Sequence, residues 1–340
     1  MNDNATETTA PAETPKHDVI MIGAGPAALA AAIYTTREDI DTLLFERGVV
    51  GGLAAVTDKV DNYPGFADGI EGLTLADNLR QQAERFGAVI ELGEVTAIHD
   101  EGEYKRLETT SGDMLARAVL IATGSDYKKV GVPGEKEYYA RGVHYCATCD
   151  GAFYRDKRLV VVGGGNSAVQ ETMFLTRFAS HIDLLVRSTI KASDVLQKDL
   201  EDYVASGKVT VHLATTTDEI LGEKIDNIDK VTKVIGTKDG QKVEFETDGV
   251  FVFVGLDPNS GFLKDTAVEL DPIGFVRTDD HLHTAIPGVF AAGDIRSGAT
   301  MQIASAVGEG ATAALLIREY LEGRKVAPAA VELAPAPHAS

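Results

Sequence analysis

His17-Asp-Val-Ile-Met-Ile22 runs directly into Gly23-Ala-Gly25-Pro-Ala-Ala28, and the reading of this stretch decides the fold. An apolar run of strand character ends in a glycine-rich turn, and an Ala-rich segment of high helix propensity follows to about Thr36. Strand, tight turn and helix in that order form a dinucleotide-binding unit. Gly23 permits the turn, Gly25 lets a pyrophosphate approach the backbone, and the small Ala28 allows the helix to pack closely on the strand. Free N–H groups at the helix start then face phosphate, so Gly23, Gly25, Pro26 and Ala27 are candidate phosphate contacts. A second strand, Asp41 to Phe45, ends at Glu46, whose carboxylate is placed to accept hydrogen bonds from a ribose diol.

The pattern returns 140 residues later. Strand Lys157 to Val162 leads into Gly163-Gly-Gly165-Asn-Ser-Ala168, a helix is predicted from about Val169 to Ala179, and strand His181 to Val186 follows. Gly163, Gly165, Asn166 and Ser167 are the matching phosphate contacts. No acid closes the second copy; Val186-Arg187-Ser188-Thr189-Ile190-Lys191 offers cations and hydroxyls instead. Arg187, Ser188 and Lys191 there suit a 2′-phosphate, which favours NADPH with NADH as the alternative. Two intact turns imply two nucleotides.

Only two cysteines occur, spaced Cys146-Ala-Thr-Cys149. A lone CxxC is redox-active or metal-binding more often than structural. Zinc requires about four ligands, and neither a second Cys pair nor an HxxxH spacing supplies them, so the redox reading leads and no metal is expected. The 52 acidic against 32 basic residues give a net charge of −20, which repels phosphate backbones and anionic lipid; nucleic-acid and membrane partners are not expected. The most apolar stretch, Val19 to Ile33, is interrupted by Gly23, Gly25 and Pro26 and is too short to span a bilayer. The first 16 residues lack the basic start and apolar run of a secretory signal. They read as disordered, as does the Ala/Pro-rich end from 326 to 340, and a cytoplasmic protein is expected.

These elements together resemble the low-molecular-weight thioredoxin reductase family of class II pyridine nucleotide-disulfide oxidoreductases, from about His17 to Arg324. Cys146-Ala-Thr-Cys149-Asp150-Gly reproduces the family's CATCDG signature. Gly51-Gly52, Asn62-Tyr-Pro-Gly65, Ala122-Thr-Gly124, Phe253-Val-Gly255 and Gly288-Val-Phe-Ala-Ala-Gly293-Asp294 follow in family order. The resemblance implies FAD held by Gly23, Gly25, Glu46, Gly51, Gly52, Asn62, Ala122, Thr123, Gly124, Gly293 and Asp294, with Gln302 and Ile303 at the flavin ring. It further implies that Cys146 attacks thioredoxin, that Cys149 faces the flavin, and that the chain is a homodimer. Leu53 and Met301 depart from the family, which commonly has Gln and Arg there.

Asp150 suits proton transfer beside the thiolate, with helix N-capping as its competing role. His144 reads as structural or exposed, and Tyr145 and Phe153 as core. The expected fold is α/β with two Rossmann-like doubly wound domains, the second inserted into the first: FAD domain 17–124 plus 249–325, nicotinamide-nucleotide domain 125–248 carrying the CxxC. Antiparallel excursions are expected at Tyr104 to Thr110 and Lys242 to Glu246. A same-fold reductase of another disulfide, a low-molecular-weight thiol or a peroxiredoxin-system carrier, and a flavin-binding redox sensor are the alternative functions.

Overall fold

A computed structural model describes residues 14–323 except Asp58, Asp61, Asp226 and Asn227. Strand Lys16–Ile22 buries both faces, Val19 and Met21 in one apolar cluster and Ile20 and Ile22 in another. A strand with no polar side belongs at the centre of a parallel sheet. Thr42–Glu46 and Gly112–Ile121 flank it, both parallel. Val89–Leu92 extends the sheet beyond Thr42–Glu46, and Tyr104–Thr109 and Val95–Glu101 extend it antiparallel on the other side. The long strand Gly112–Ile121 pairs with that hairpin at its start and, at its end, with Val289–Ala291 in parallel.

Helices Pro26–Arg37 and Ile303–Leu321 cover the Val19/Met21 face. Their small residues bring the two backbones into contact: a Cβ on Gly310 would lie 2.0 Å from the Ala27 carbonyl oxygen. The close approach fixes the helix that starts at the first glycine turn.

The chain divides into two units. Within the described residues the first comprises 14–56, 73–124 and 258–323, and the second 57–72 and 125–257. The second unit has its own parallel sheet, ordered Val143–His144, Gly249–Val252, Arg158–Val162, His181–Leu185, Val209–His212. Leu159 and Val161 pack on one side among the residues of helix Asn166–Leu175, and Val160 and Val162 on the other, among residues of the antiparallel sheet Thr215–Ile225, Ile228–Lys238 and Gln241–Glu246. The architecture is therefore α/β with two Rossmann-type units.

Four boundaries differ from the sequence reading, the largest being that residues 249–257, expected in the FAD domain, belong to the second unit, whose sheet contains Gly249–Val252. Lys16 is already in the first strand, in register with Leu115, so the leading segment ends before it. The rest of that segment, 1–13, and the stretch 326–340 lie outside the described residues. Helix 166–175 starts at Asn166 and stops at Leu175, where Phe178 and Ala179 donate to the Leu175 carbonyl and turn the chain. Residues 57–72, with the short antiparallel pair Lys59–Val60 and Ile70–Glu71, group with the second unit.

Candidate active site

In the first unit Gly23 has φ +99°, and a Cβ there would lie 2.5 Å from the Ala122 carbonyl oxygen and 3.2 Å from Thr123 Cα. The turn can thus close only on glycine, against the strand end Ala122-Thr123-Gly124. A Cβ on Gly25 would meet nothing within 4 Å, and Gly25 caps helix Pro26–Arg37 without any side-chain hydrogen bond. Open space therefore faces the uncapped N–H groups of a helix start. Gly52 approaches Gly25, its Cβ position 3.8 Å from Gly25 Cα, and the Cβ position of Gly293 lies 3.0 Å from Ala27 Cβ. The structure brings Gly23, Gly25, Pro26, Ala27, Gly51, Gly52, Ala122, Thr123 and Gly293 together.

Glu46 binds this turn with both oxygens: Oε2 accepts the Ala24 N–H and Oε1 the Gly48 N–H, each at 2.8 Å. A cleft opens beside it, lined by Gly23, Phe45, Glu46, Arg47, Gly93 and Thr123 together with Asn259 and Phe262. Arg47 Nη2 donates to Asn259 Oδ1 at 2.7 Å, and Thr123 Oγ1 donates to the Asn259 carbonyl at 2.8 Å. Arg47 and Asn259 escaped the sequence reading because 212 residues separate them. Neither carries a local motif.

Asp294 follows Gly293 at the other end of the turn. Burial, together with the neighbouring Glu309 carboxylate, pushes its carboxyl up to about 6. Glu309 is itself held: Arg296 donates to it through Nε at 3.0 Å and Nη2 at 2.7 Å, and the Gly293 N–H donates at 2.7 Å. This bidentate pair fixes the loop that presents Asp294. Gln302 caps helix 303–321 and Ile303 opens it. Asn62 belongs to the 57–72 segment, which groups with the second unit. Open space in front of Gly25, uncapped helix N–H groups and carboxylates able to accept from sugar hydroxyls fit a dinucleotide.

The second turn copies the first at a constant offset. Gly163 has φ +148°, and its Cβ would lie 2.4 Å from the Phe253 carbonyl oxygen; a Cβ on Gly165, which caps the helix without a side-chain bond, would meet nothing within 4 Å. The Gly23 N–H donates to Phe45 O and the Gly163 N–H to Leu185 O; Gly51 N–H donates to Ala24 O and Lys191 N–H to Gly164 O. Val186 takes the place of Glu46. Arg187 and Ser188 are exposed on the loop that follows, with Lys191. Asn166 is in the first helical turn, and its Oδ1 accepts the Ser193 N–H at 2.8 Å, tying the loop to the helix. Ser167 follows it in the same turn.

In the second unit Cys146 and Cys149 form a disulfide, and both are partly accessible. Cys146 caps the short helix Ala147–Asp150, its Sγ accepting the Cys149 N–H at 3.2 Å. Asp150 stands at the N-cap position of the next turn, Gly151–Tyr154, but makes no side-chain cap bond to it. Its Oδ2 lies instead 3.3 Å from His144 Nδ1. His144 is 8% exposed, buried beside the redox turn. Phe153, expected in the core, is 54% exposed, whereas Tyr145 is buried and donates to Glu135 Oε1 at 2.8 Å.

A family model for pyridine nucleotide-disulphide oxidoreductases matches residues 17–310. The chain is 43% identical to the thioredoxin reductase of Bacillus subtilis, covering 90% of this chain and 95% of that protein, and 41% identical to that of Listeria innocua, covering 92% and 96%. The crystal structure of thioredoxin reductase from Streptococcus pyogenes is similar at a TM-score of 0.84 and 40% identity, covering 91% of this chain and 99% of that one.

Proposed function

Because this chain belongs to the pyridine nucleotide-disulphide oxidoreductase family and acts as a disulfide reductase of the thioredoxin reductase kind, we propose that it takes electrons from NADPH, passes them through FAD to Cys146–Cys149, and delivers them to a thioredoxin or thioredoxin-like protein. One observation carries the reaction class: the unit with the second dinucleotide turn also holds a CxxC disulfide that caps its own helix, followed directly by Asp150.

The first unit holds FAD. Gly25, Pro26 and Ala27 offer backbone to the pyrophosphate, Glu46 accepts from a ribose, and Asp294, Gln302 and Ile303 serve the ribityl and ring end. The second unit holds the nicotinamide nucleotide at Gly163, Gly165, Asn166 and Ser167, with Arg187, Ser188 and Lys191 at the 2′-phosphate; NADH is the rival donor. Bound flavin and nicotinamide supply the hydride and electron chemistry. Cys146 attacks the partner disulfide as a thiolate, Cys149 resolves the mixed disulfide, and Asp150 moves the proton.

Among the described residues no helix is long and apolar enough to cross a membrane. We assign the enzyme to the cytoplasm as a homodimer, the latter checked by light scattering on the eluted protein. The deciding assay follows NADPH oxidation by the yellow purified protein with and without oxidised thioredoxin. Thioredoxin-dependent turnover supports the reading; turnover with small disulfides and none with thioredoxin refutes it.

A further inference from the structure

His144 ends the short strand Val143–His144, which pairs in parallel with Gly249–Val252 and sets His144 opposite Phe251. The imidazole stacks on the Phe251 ring at 5.2 Å and meets the edge of Tyr154 at 5.3 Å. Tyr154 is confined in turn, since a Cβ on Gly249 would fall 2.4 Å from its ring. The Tyr154 hydroxyl lies 2.6 Å from His144 Nε2, while Nδ1 is 3.3 Å from Asp150 Oδ2. The sequence places this histidine two residues before Cys146, and the fold places it behind the acid that follows Cys149.

Which nitrogen carries the proton follows from those partners. A neutral imidazole accepting from the Tyr154 O–H at Nε2 holds its proton on Nδ1, facing Asp150. A protonated imidazole donates from both nitrogens and again faces Asp150 with an N–H. Burial, together with the charges of Asp150 and Asp248, raises the Tyr154 hydroxyl above its usual range, so it keeps its proton. Tyr139 is likewise raised by burial and by Asp150, with the Lys129 ammonium over its ring. The groups around the carboxylate are therefore His144, Tyr139 and Tyr154, with Lys129 and Asp248 behind the tyrosines.

We propose that His144 is a positioning residue for Asp150: anchored by the Tyr154 hydroxyl, it presents Nδ1–H to the carboxylate and holds it where it exchanges a proton with the reduced cysteine pair. The inference rests on the reading of Asp150 as the proton carrier. It adds no electron step. Its physical consequence is electrostatic: an N–H at Oδ2 draws negative charge away from the neighbouring thiols, and its loss disfavours the thiolate.

The test uses the full-length protein, reduced with dithiothreitol, and follows the rate of alkylation by iodoacetamide against pH, which requires neither nucleotide nor thioredoxin. The His144→Ala midpoint is expected about half a unit or more above wild type. His144→Asn, whose amide N–H replaces Nδ1–H, is expected near the wild-type midpoint, and His144→Gln, which reproduces only the Nε2 side, near that of His144→Ala. In thioredoxin turnover His144→Ala loses about tenfold in kcat at unchanged KM, less than the roughly 10²–10⁴-fold of a lost general acid–base group because Asp150 itself remains. A wild-type midpoint in His144→Ala, or equal shifts in the Asn and Gln variants, overturns the proposal; should His144→Ala fail to fold, the Asn and Gln pair decides. A wild-type enzyme inactive on thioredoxin sinks the functional assignment instead and leaves the alkylation comparison in force.

Discussion

Replacing Asp294 by asparagine should strengthen the protein that lacks flavin and weaken its hold on flavin. Burial and the Glu309 carboxylate raise the Asp294 carboxyl from 3.8 to about 6, so the folded chain binds this proton more tightly than the unfolded chain does. A group shifted upward contributes stability below its unfolded value and loses it as pH rises through the folded one; the window here is about 4 to 6. Two units at 1.36 kcal/mol each make the ionised carboxylate a burden of at most about 3 kcal/mol at neutral pH. Asn removes the charge at nearly the same volume. Urea unfolding of the flavin-stripped protein should therefore show Asp294→Asn more stable than wild type at pH 7.5, by up to about 3 kcal/mol, with the gap closing toward pH 4. In the holoprotein the order should reverse if, as proposed, the carboxylate that burdens the empty fold accepts from the cofactor's hydroxyls; the variant should then emerge from gel filtration with less FAD. A gap that is absent at pH 7.5, or unchanged between pH 7.5 and 4, refutes the electrostatic argument.

Cys149→Ser should keep NADPH-driven bleaching of the flavin in stopped flow and lose thioredoxin turnover; full turnover by that variant would remove the cysteine pair from the reaction. Arg187→Ala should weaken NADPH by about 2 kcal/mol, the worth of a charge-assisted contact, and leave NADH unaffected, whereas equal losses would show that no 2′-phosphate is met there. The two turn glycines should separate by function. Gly163→Ala, at φ +148° and 2.4 Å from Phe253 O, should destabilise by about 2 kcal/mol or more in urea. Gly165→Ala, facing open space, should match wild-type stability yet raise KM for the nicotinamide nucleotide; unaltered KM would show that nothing approaches the backbone there.

The parts of this molecule legible in its sequence are those whose cause is local. The alternation of Val19 and Met21 against Ile20 and Ile22 is invisible as polarity because both faces are buried, but the unbroken apolar run before Gly23 signals that burial directly. The spacing of Cys146 and Cys149 likewise requires no knowledge of the rest of the chain. What stayed hidden depends on partners far away in sequence. Glu309 shows its role only when helix 303–321 lies against Gly293 and Arg296. Asn166 and Ser167, residues that compete with the helix backbone through their side chains, read as loop; the structure starts the helix at Asn166, whose side chain is occupied by Ser193. His144 reads as structural or exposed and is buried; its partners Tyr154 and Asp150, at the two ring nitrogens, are not visible in local spacing.

The two copies of the turn differ in the structural tie on which the proposed nucleotide preference rests. In the first copy Glu46 closes the turn with its own carboxylate, taking the Ala24 and Gly48 N–H groups, so an acid there shapes the fold, beside its proposed role toward a ribose. In the second copy Val186 stands at the corresponding place and is buried, and Gly164 has no carboxylate partner among the described residues. The loop is secured instead by Lys191 N–H on the Gly164 carbonyl and by Asn166 on Ser193 N–H. With the tie moved to backbone and amide groups, the carboxylate of the first copy is absent from this position, and Arg187 is exposed beside it. At the same offset Arg187 corresponds to Arg47, so the copies differ by the exchange of Glu46 for the buried Val186 and not by a gained arginine, and it is the loss of that acid that supports the proposed preference for a nucleotide of higher negative charge.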